Sequence, residues 1–335
     1  MEAAGASLVK HYRDLAFMGF VEVVRNLRTI FRNIAFCKRD ILEFKPEVLV
    51  LIDYPGFNLR IARWAKSQGI RVVYYISPQL WAWHASRAYA IRRDVDKLLV
   101  ILPFEQEFFR KYGIEAEFVG HPLLDEIRPE AESPEIAPSG TETNAAILNQ
   151  IALLPGSRKQ EVSRILPKML EVIADFPAFE FVVAGATSLP KEYYNTFLSG
   201  YPKVRLVQGK TYEILRNSKA ALIKSGTSTL ETALLDVPQV VCYTGNWISY
   251  RIARQLIQVK YISLVNLIMD RPLVRELIQD DLNKENLTTA LAEILQPEKA
   301  AEMRMGYAEL RKLLGGGGAS ERAAKAILKE ASGRE

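Results

Sequence analysis

Short uninterrupted apolar runs punctuate the chain: VLVLI at 48–52, VVYYI at 72–76, LLVIL at 98–102, IALL at 151–154, FVVA at 181–184, AALI at 220–223 and QVVCY at 239–243. None alternates with polar residues, so each is expected to be a strand covered on both faces. Segments of helical length separate them, and that alternation predicts α/β domains built on parallel sheets. Helical spacing is clearest from Phe20 to Ile34. There Phe20, Val24, Leu27, Phe31 and Ile34 mark an apolar stripe, with Arg25, Arg28 and Arg32 forming a basic one beside it. Such a helix suits an anionic membrane surface, or equally the outside of a sheet with its arginines solvated.

The pattern breaks between Pro129 and Asn149, where Pro, Ser, Glu and Thr replace periodicity. This predicts two α/β halves, 1–140 and 141–314. Gly315 to Gly318 then set the last segment, 315–335, on a hinge that lets it leave its own domain and cross to the first. A doubly wound domain normally opens with a strand, a Gly-rich turn and a helix. Here the first strand-like run arrives near Val48, so the first half is expected to be incomplete at its start.

A chain of 335 residues, 49% hydrophobic, can bury a sizeable core. Its net charge of +5 and isoelectric point near 9.0 favour an acidic partner. The basic residues are scattered and interleave with no nucleic-acid module, so no nucleic-acid partner is expected. Cys37 and Cys242 have no metal or redox spacing and suit a reducing, cytosolic setting. No run approaches the roughly 20 apolar residues needed to span a bilayer.

Candidate chemistry gathers after the apolar runs. Asp53 follows VLVLI directly and precedes the turn Tyr54-Pro55-Gly56. A carboxylate at a parallel strand end suits a general base, while the competing reading is a turn aspartate bonding backbone amides. In ISPQLWAWHASR, Trp81 and Trp83 suit a sugar, an acyl chain or a domain interface. His84 and His121 lack companions for a metal. The stretch ALLPGSRKQEV puts Gly156, Ser157 and Arg158 between a strand and a helix. Ser157 with Gln160 reads as a capping box, and Arg158 as a phosphate clamp on the helix N-terminus. IKSGTSTLETALL repeats the layout. Ser228 with Glu231 reads as a second capping box, or else Gly226 and Thr227 meet a phosphate and Glu231 a ribose. Two anion-type turns in one domain favour a nucleotide diphosphate.

KHYRDLAFMGFVEV, LIDYPGFNLR, YYISPQLWAWHASR, FVGHPLLDEI, LLPGSRKQEV, KSGTSTLETALL, YISLVNLIMDRPLVREL and GGGGASERAA together resemble the lipid-A-disaccharide synthases, glycosyltransferases of the GT-B class, over nearly the whole chain. The resemblance implies two Rossmann-like domains whose parallel sheets face a cleft, acceptor and lipid on the first and UDP-sugar on the second. It implies an inverting transfer of 2,3-diacylglucosamine from UDP to the 6-hydroxyl of 2,3-diacylglucosamine 1-phosphate, lipid X. The products are UDP and the β-1,6 disaccharide 1-phosphate of lipid A in a Gram-negative bacterium. Asp53 matches the family's essential acid and would be the base. Some members carry a second aspartate where this chain has Gly56, which singles out Asp53. Arg158 and Asn266 match positions implicated in activity, and Ser225, Gly226, Thr227 and Glu231 resemble the UDP site. No metal or other cofactor is implied.

Acylated substrates further imply that Phe20, Val24, Arg25, Leu27, Arg28, Phe31, Arg32, Trp81 and Trp83 meet lipid, with the protein peripheral on the cytoplasmic side of the inner membrane. The family also implies a homodimer exchanging C-terminal portions, hinged at Gly315 to Gly318 or before Trp247. A family N-terminal strand and Gly-rich loop would precede Met1. Two alternatives remain open at this point: another UDP-sugar enzyme of this fold, such as a relative of the peptidoglycan glucosaminyltransferase or the UDP-sugar epimerases, and a non-catalytic nucleotide-sugar or lipid binder.

Overall fold

A computed structural model describes residues 4–10, 27–82, 85–127, 149–245 and 259–333. The first half runs α1 (Leu27–Phe44), β1 (Val48–Ile52), α2 (Pro55–Ser67), β2 (Arg71–Tyr75), α3 (Ala88–Asp94), β3 (Lys97–Val100), α4 (Glu105–Arg110), β4 (Ala116–Phe118) and α5 (Leu123–Glu126). Its strands pair in parallel in the order β1-β2-β3-β4.

The second half runs β5 (Gln150–Leu154), α6 (Lys159–Leu170), β6 (Glu180–Gly185), α7 (Lys191–Leu198), β7 (Arg205–Gln208), α8 (Thr211–Arg216), β8 (Ser218–Lys224), α9 (Thr227–Leu234), β9 (Gln239–Tyr243), α10 (Leu264–Met269), β10 (Arg275–Ile278), α11 (Lys284–Ile294) and α12 (Pro297–Leu313), with α13 (Ala319–Ser332) after the glycine run. Its parallel sheet has the order β10-β9-β8-β5-β6-β7. Chain direction across the sheet therefore reverses between β5 and β8, the switch point at which doubly wound folds open a crevice. The central strands are apolar because both faces are covered: every residue of β5 is buried, as are Ala220 to Ile223 of β8.

Three strands have no continuous apolar run in the sequence: β4, β7 and β10. Each lies at a sheet edge, where partial exposure admits Glu117, Arg205, Gln208, Arg275 and Glu276. The expected domain boundary at 140 and nearly all of the linker from Pro129 lie outside the described residues.

Helix α1 corrects the expected stripe. Ile34 and Ile41 are buried and Ile30 and Cys37 pack beside them, a face recurring at helical spacing. Phe31 lies off that face. It is 58% exposed near Arg28 and Arg32, with the Arg60 guanidinium 5.8 Å from its ring centre. The helix continues to Phe44, beyond the stretch in which helical spacing is clearest in the sequence. Phe20, Val24, Arg25 and the Leu27 side chain lie outside what is described.

The last helix belongs to the first sheet. Ala323, Ala326 and Ile327 of α13 pack on Val73, Leu99 and Val119. Its N-terminus is capped from a distance: one Asp125 oxygen accepts from the Gly318 and Ala319 amides at 2.5 and 3.2 Å, the other from the Ser320 amide at 2.8 Å. Arg322 Nε adds a bond to the Val119 carbonyl at 2.8 Å. Gly315, Gly316 and Gly318 all have positive φ, between 69° and 88°, and so turn the chain back tightly after α12.

Candidate active site

At the switch point, a cavity of about 330 Å³ lies at the carboxyl ends of β5, β6 and β8. Gly156, Ser157, Arg158 and Glu161 line one side and Lys224, Gly226, Thr227 and Ser228 the other. The amino ends of α6 and α9 both open there, so two helix dipoles converge on it. Lys224 brings its ammonium to Glu161 Oε1 at 3.1 Å and thereby bridges the two turns.

Both capping boxes differ from expectation. The residue before α6 is Arg158, not Ser157, and the carboxylate that closes the box is Glu161, not Gln160. Glu161 Oε2 accepts from the Ser157 and Arg158 amides at 3.1 and 3.3 Å, and Oε1 lies 3.2 Å from the Arg158 guanidinium. An ionised carboxylate serves donor groups better than an amide does, which explains the one-residue displacement. Burial alone would raise the Glu161 carboxyl, but Lys224, the Ser157 amide and Arg158 hold it below the usual range. At the second turn, Gly226 precedes the helix and Ser228 lies inside α9. The Glu231 carboxylate accepts from the Tyr212 hydroxyl at 3.2 Å and from Ser228, and burial raises it above its ordinary value despite both bonds.

Gly156 has a direct steric reason. Its φ is +109°, and a Cβ there would come within 2.5 Å of Glu161 Oε2 and 2.9 Å of Glu161 Cβ.

Asp53 ends β1 in an unusual turn. It and Tyr54 both have left-handed backbones, φ 46° and 45°, a conformation that costs on the order of 1–3 kcal/mol per residue when the side chain is not glycine. The turn is held on all sides: Asp53 N–H donates to Tyr75 O at 3.1 Å. Its carbonyl accepts from Asn58 Nδ2 at 2.7 Å and from the Tyr74 hydroxyl at 2.6 Å. Pro55 then opens α2 at a position that needs no N–H. The result is an exposed carboxylate that, among the described residues, accepts no hydrogen bond from a backbone amide. No described amide therefore makes the turn bond of the competing reading. Burial, followed by the charge of Asp53, raises the Tyr74 hydroxyl far above its normal value and keeps it a donor.

Asn266 is 1% exposed and its amide is fully engaged. Nδ2 donates to Val274 O at 2.8 Å and Glu276 Oε1 at 2.9 Å, while Oδ1 accepts from Val274 N at 2.9 Å. Glu276 also accepts from the Ile262 and Ser263 amides and the Ser263 hydroxyl. Ser225, at the end of β8, closes the circuit by donating to Ile262 O at 2.8 Å. Asn266 thus supports the β8–α9 turn through Glu276 and Ile262. It does not line the switch-point cavity. It lines a larger one, about 490 Å³, at the start of β10. The cations of that larger cavity, Arg271, Arg275 and Lys299, pair with Glu309, Glu293 and Glu302, as Arg158 and Lys224 pair with Glu161 in the smaller one; what distinguishes the smaller cavity is its place at the switch point.

Trp81 is half-buried: it donates its indole N–H to Glu105 Oε1 at 3.2 Å and sets its edge on Phe104, ring centres 5.0 Å apart. These are packing contacts on its protein-facing side. Glu105, 1% exposed, also accepts from Ser77 and the Leu102 amide and so ties the loop carrying Trp81 to α4. Trp83 and His84 lie outside the described residues. His121 is buried, lowered to about 4 by desolvation, and accepts from the Leu123 amide through Nδ1.

Lys224, Glu161, Asn58, Tyr74 and Glu276 escaped the sequence reading. Lys224 sits directly before Ser225-Gly226 and Glu161 three residues after Arg158, so both were visible beside motifs already singled out. Asn58 lies five residues after Asp53 in the same motif, whereas Tyr74 and Glu276 act through contacts ten or more residues away and left no local signal.

Residues 1–330 match the family model described as lipid-A-disaccharide synthetase. The chain is 39% identical over 335 residues to the lipid-A-disaccharide synthase of Anaeromyxobacter dehalogenans (strain 2CP-C), covering 98% of this chain and 87% of that protein. It is 40% identical over 336 residues to that of Syntrophus aciditrophicus (strain SB), with the same coverage. Among solved structures, UDP-GlcNAc 2-epimerase from Neisseria meningitidis bound to UDP-GlcNAc aligns with a TM-score of 0.62 at 16% identity, covering 93% of this chain and 83% of that one. A calicheamicin glycosyltransferase aligns with a TM-score of 0.55 at 15% identity, over 99% and 88%. At these identities the structural likeness is one of fold.

Proposed function

From the chain's membership of the lipid-A-disaccharide synthetase family, in which it is a GT-B glycosyltransferase that forms the lipid A disaccharide, we propose the substrates and the part each residue plays. The donor is UDP-2,3-diacylglucosamine and the acceptor 2,3-diacylglucosamine 1-phosphate. The observation that carries this reading is the switch-point cavity, where the turns at Gly156–Arg158 and Gly226–Ser228 and the Lys224 ammonium meet at the place where a doubly wound domain binds a nucleotide.

In this reading the donor diphosphate lies across the amides at the two helix ends, with Arg158 and Lys224 beside it, and Glu231 faces the ribose. Asp53 removes the proton from the acceptor 6-hydroxyl as that oxygen attacks the anomeric carbon from the face opposite UDP. The new C–O bond forms as the bond to the diphosphate breaks, and configuration inverts. The negative charge that develops on the leaving oxygen is met by the helix dipoles, Arg158 and Lys224, with no cofactor assigned. Asn266 is a positioning residue, holding the β8–α9 turn through Glu276.

The exposed Phe31, Leu42 and Phe44 on α1, interleaved with Arg28, Arg32 and Arg39, supply the apolar and cationic surface that acylated substrates at an anionic inner membrane require. No described helix is long and apolar enough to cross a membrane. A homodimer that exchanged α13 would repeat between chains the Asp125 cap and the apolar seam seen here within one.

Disaccharide formation from the acylated donor and acceptor, run beside a soluble unacylated acceptor, tests the reading. Turnover confined to the acylated pair supports it. Turnover of the unacylated acceptor alone would instead favour a different UDP-sugar transferase.

A further inference from the structure

Glu161 occupies the position that the proposed reading gives to a phosphate. Its two oxygens take two amides from the start of α6, the Arg158 guanidinium and the Lys224 ammonium, all at 3.1 to 3.3 Å. These are the donors an incoming diphosphate needs at the switch point. The carboxylate side chain is 17% exposed, and Gly156 supplies the gap into which it fits. The Lys224 ammonium stands 3.6 Å from where a Gly226 Cβ would be, so it reaches the second turn while paired to the first.

Resting on the donor-site reading above, we propose that Glu161 is an internal stand-in for the donor diphosphate and that Lys224 is the cation it hands over. With the site empty, Glu161 keeps Arg158 and Lys224 drawn in and the helix amides satisfied. A nucleotide diphosphate takes over these donors and turns the carboxylate out, since two anions cannot share them at this distance. After transfer, return of Glu161 to its four donors drives UDP off. The pair thus selects a nucleoside diphosphate over a nucleoside and limits how tightly the product is held. Neither residue was assigned a role by the sequence motifs.

The test is calorimetric titration of UDP and of uridine into the full chain as wild type, Glu161→Gln and Lys224→Met, with folding of each checked by thermal melting. Glutamine keeps an oxygen for the amides while removing the charge. Glu161→Gln is expected to bind UDP at least about tenfold more tightly and uridine unchanged. Lys224→Met is expected to bind UDP about tenfold more weakly, again with uridine unchanged. Weaker or equal UDP binding by Glu161→Gln overturns the proposal, as does uridine affinity moving in step with UDP. If wild type binds UDP and Glu161→Gln binds it equally, displacement alone fails. If no form binds UDP, the donor-site reading fails with it.

Discussion

At the end of β1 the chain turns through Asp53 and Tyr54 into Pro55; at the end of β5 it turns through Pro155 and Gly156 into Arg158. Both turns join a parallel strand to a helix, and both sit where such folds place function. The first uses its backbone polar groups internally, through Tyr75, Asn58 and the Tyr74 hydroxyl, and leaves a carboxylate projecting. The second leaves its amides pointing outward and gives them a carboxylate, Glu161, as a removable partner. In the proposed reading one geometry presents a proton acceptor and the other an anion cradle. The difference comes from where strain is placed: left-handed aspartate and tyrosine in one, left-handed glycine in the other.

The sharpest break in this comparison is Asp53→Asn. Removal of the proposed base is expected to lower kcat by about 10²- to 10⁴-fold, measured as disaccharide formed per enzyme under saturating donor. Next is Arg158→Ala, which acts on the other turn. Loss of a charge-assisted contact to phosphate should weaken UDP binding by about tenfold to a hundredfold, read by calorimetry.

Asn266→Ala is expected to cost about 2 kcal/mol of stability, because Val274 N–H, Val274 O and Glu276 lose buried partners, and a denaturant melt reads this directly. A drop in activity should accompany it, through the β8–α9 turn.

The smallest effect is at Asp125. Burial opposes ionisation there, but the Ser320 hydroxyl and amide and the Gly318 and Ala319 amides hold the carboxyl below its usual range. A folded value below the unfolded one, about 3.9, stabilises the protein at pH above that value. The contribution is lost as pH falls through the lower folded value. Asp125→Asn should therefore lower the melting temperature only slightly at pH 7, because solvent screens so exposed a carboxylate, with the gap between variant and wild type closing below about pH 4.

Continuous apolar runs announced every inner strand, because burial on both faces leaves no room for polar residues. The edge strands β4, β7 and β10 stayed hidden because one open side tolerates charge. The two strand–turn–helix segments that line the switch-point cavity were legible because glycine, small residues and a nearby cation are local features. Gln160 was read in place of Glu161, since Ser157 and Gln160 satisfy the same spacing rule one residue earlier. For α1, Phe31 and Ile34 are three residues apart and fit one helical stripe on paper. The buried face runs instead through Ile30, Ile34, Cys37 and Ile41, set by where α1 meets its neighbours. The Asp125 cap on α13 joins positions nearly two hundred residues apart and could not be read locally.

The division of labour between the two turns is tested most directly by measuring UDP affinity and disaccharide turnover on the same preparations of wild type, Asp53→Asn and Arg158→Ala. Asp53→Asn should lose turnover while binding UDP as the wild type does, whereas Arg158→Ala should lose UDP affinity. Parallel loss of UDP binding in Asp53→Asn, or wild-type turnover without the Asp53 carboxylate, would contradict the assignment of the base to one turn and the diphosphate to the other.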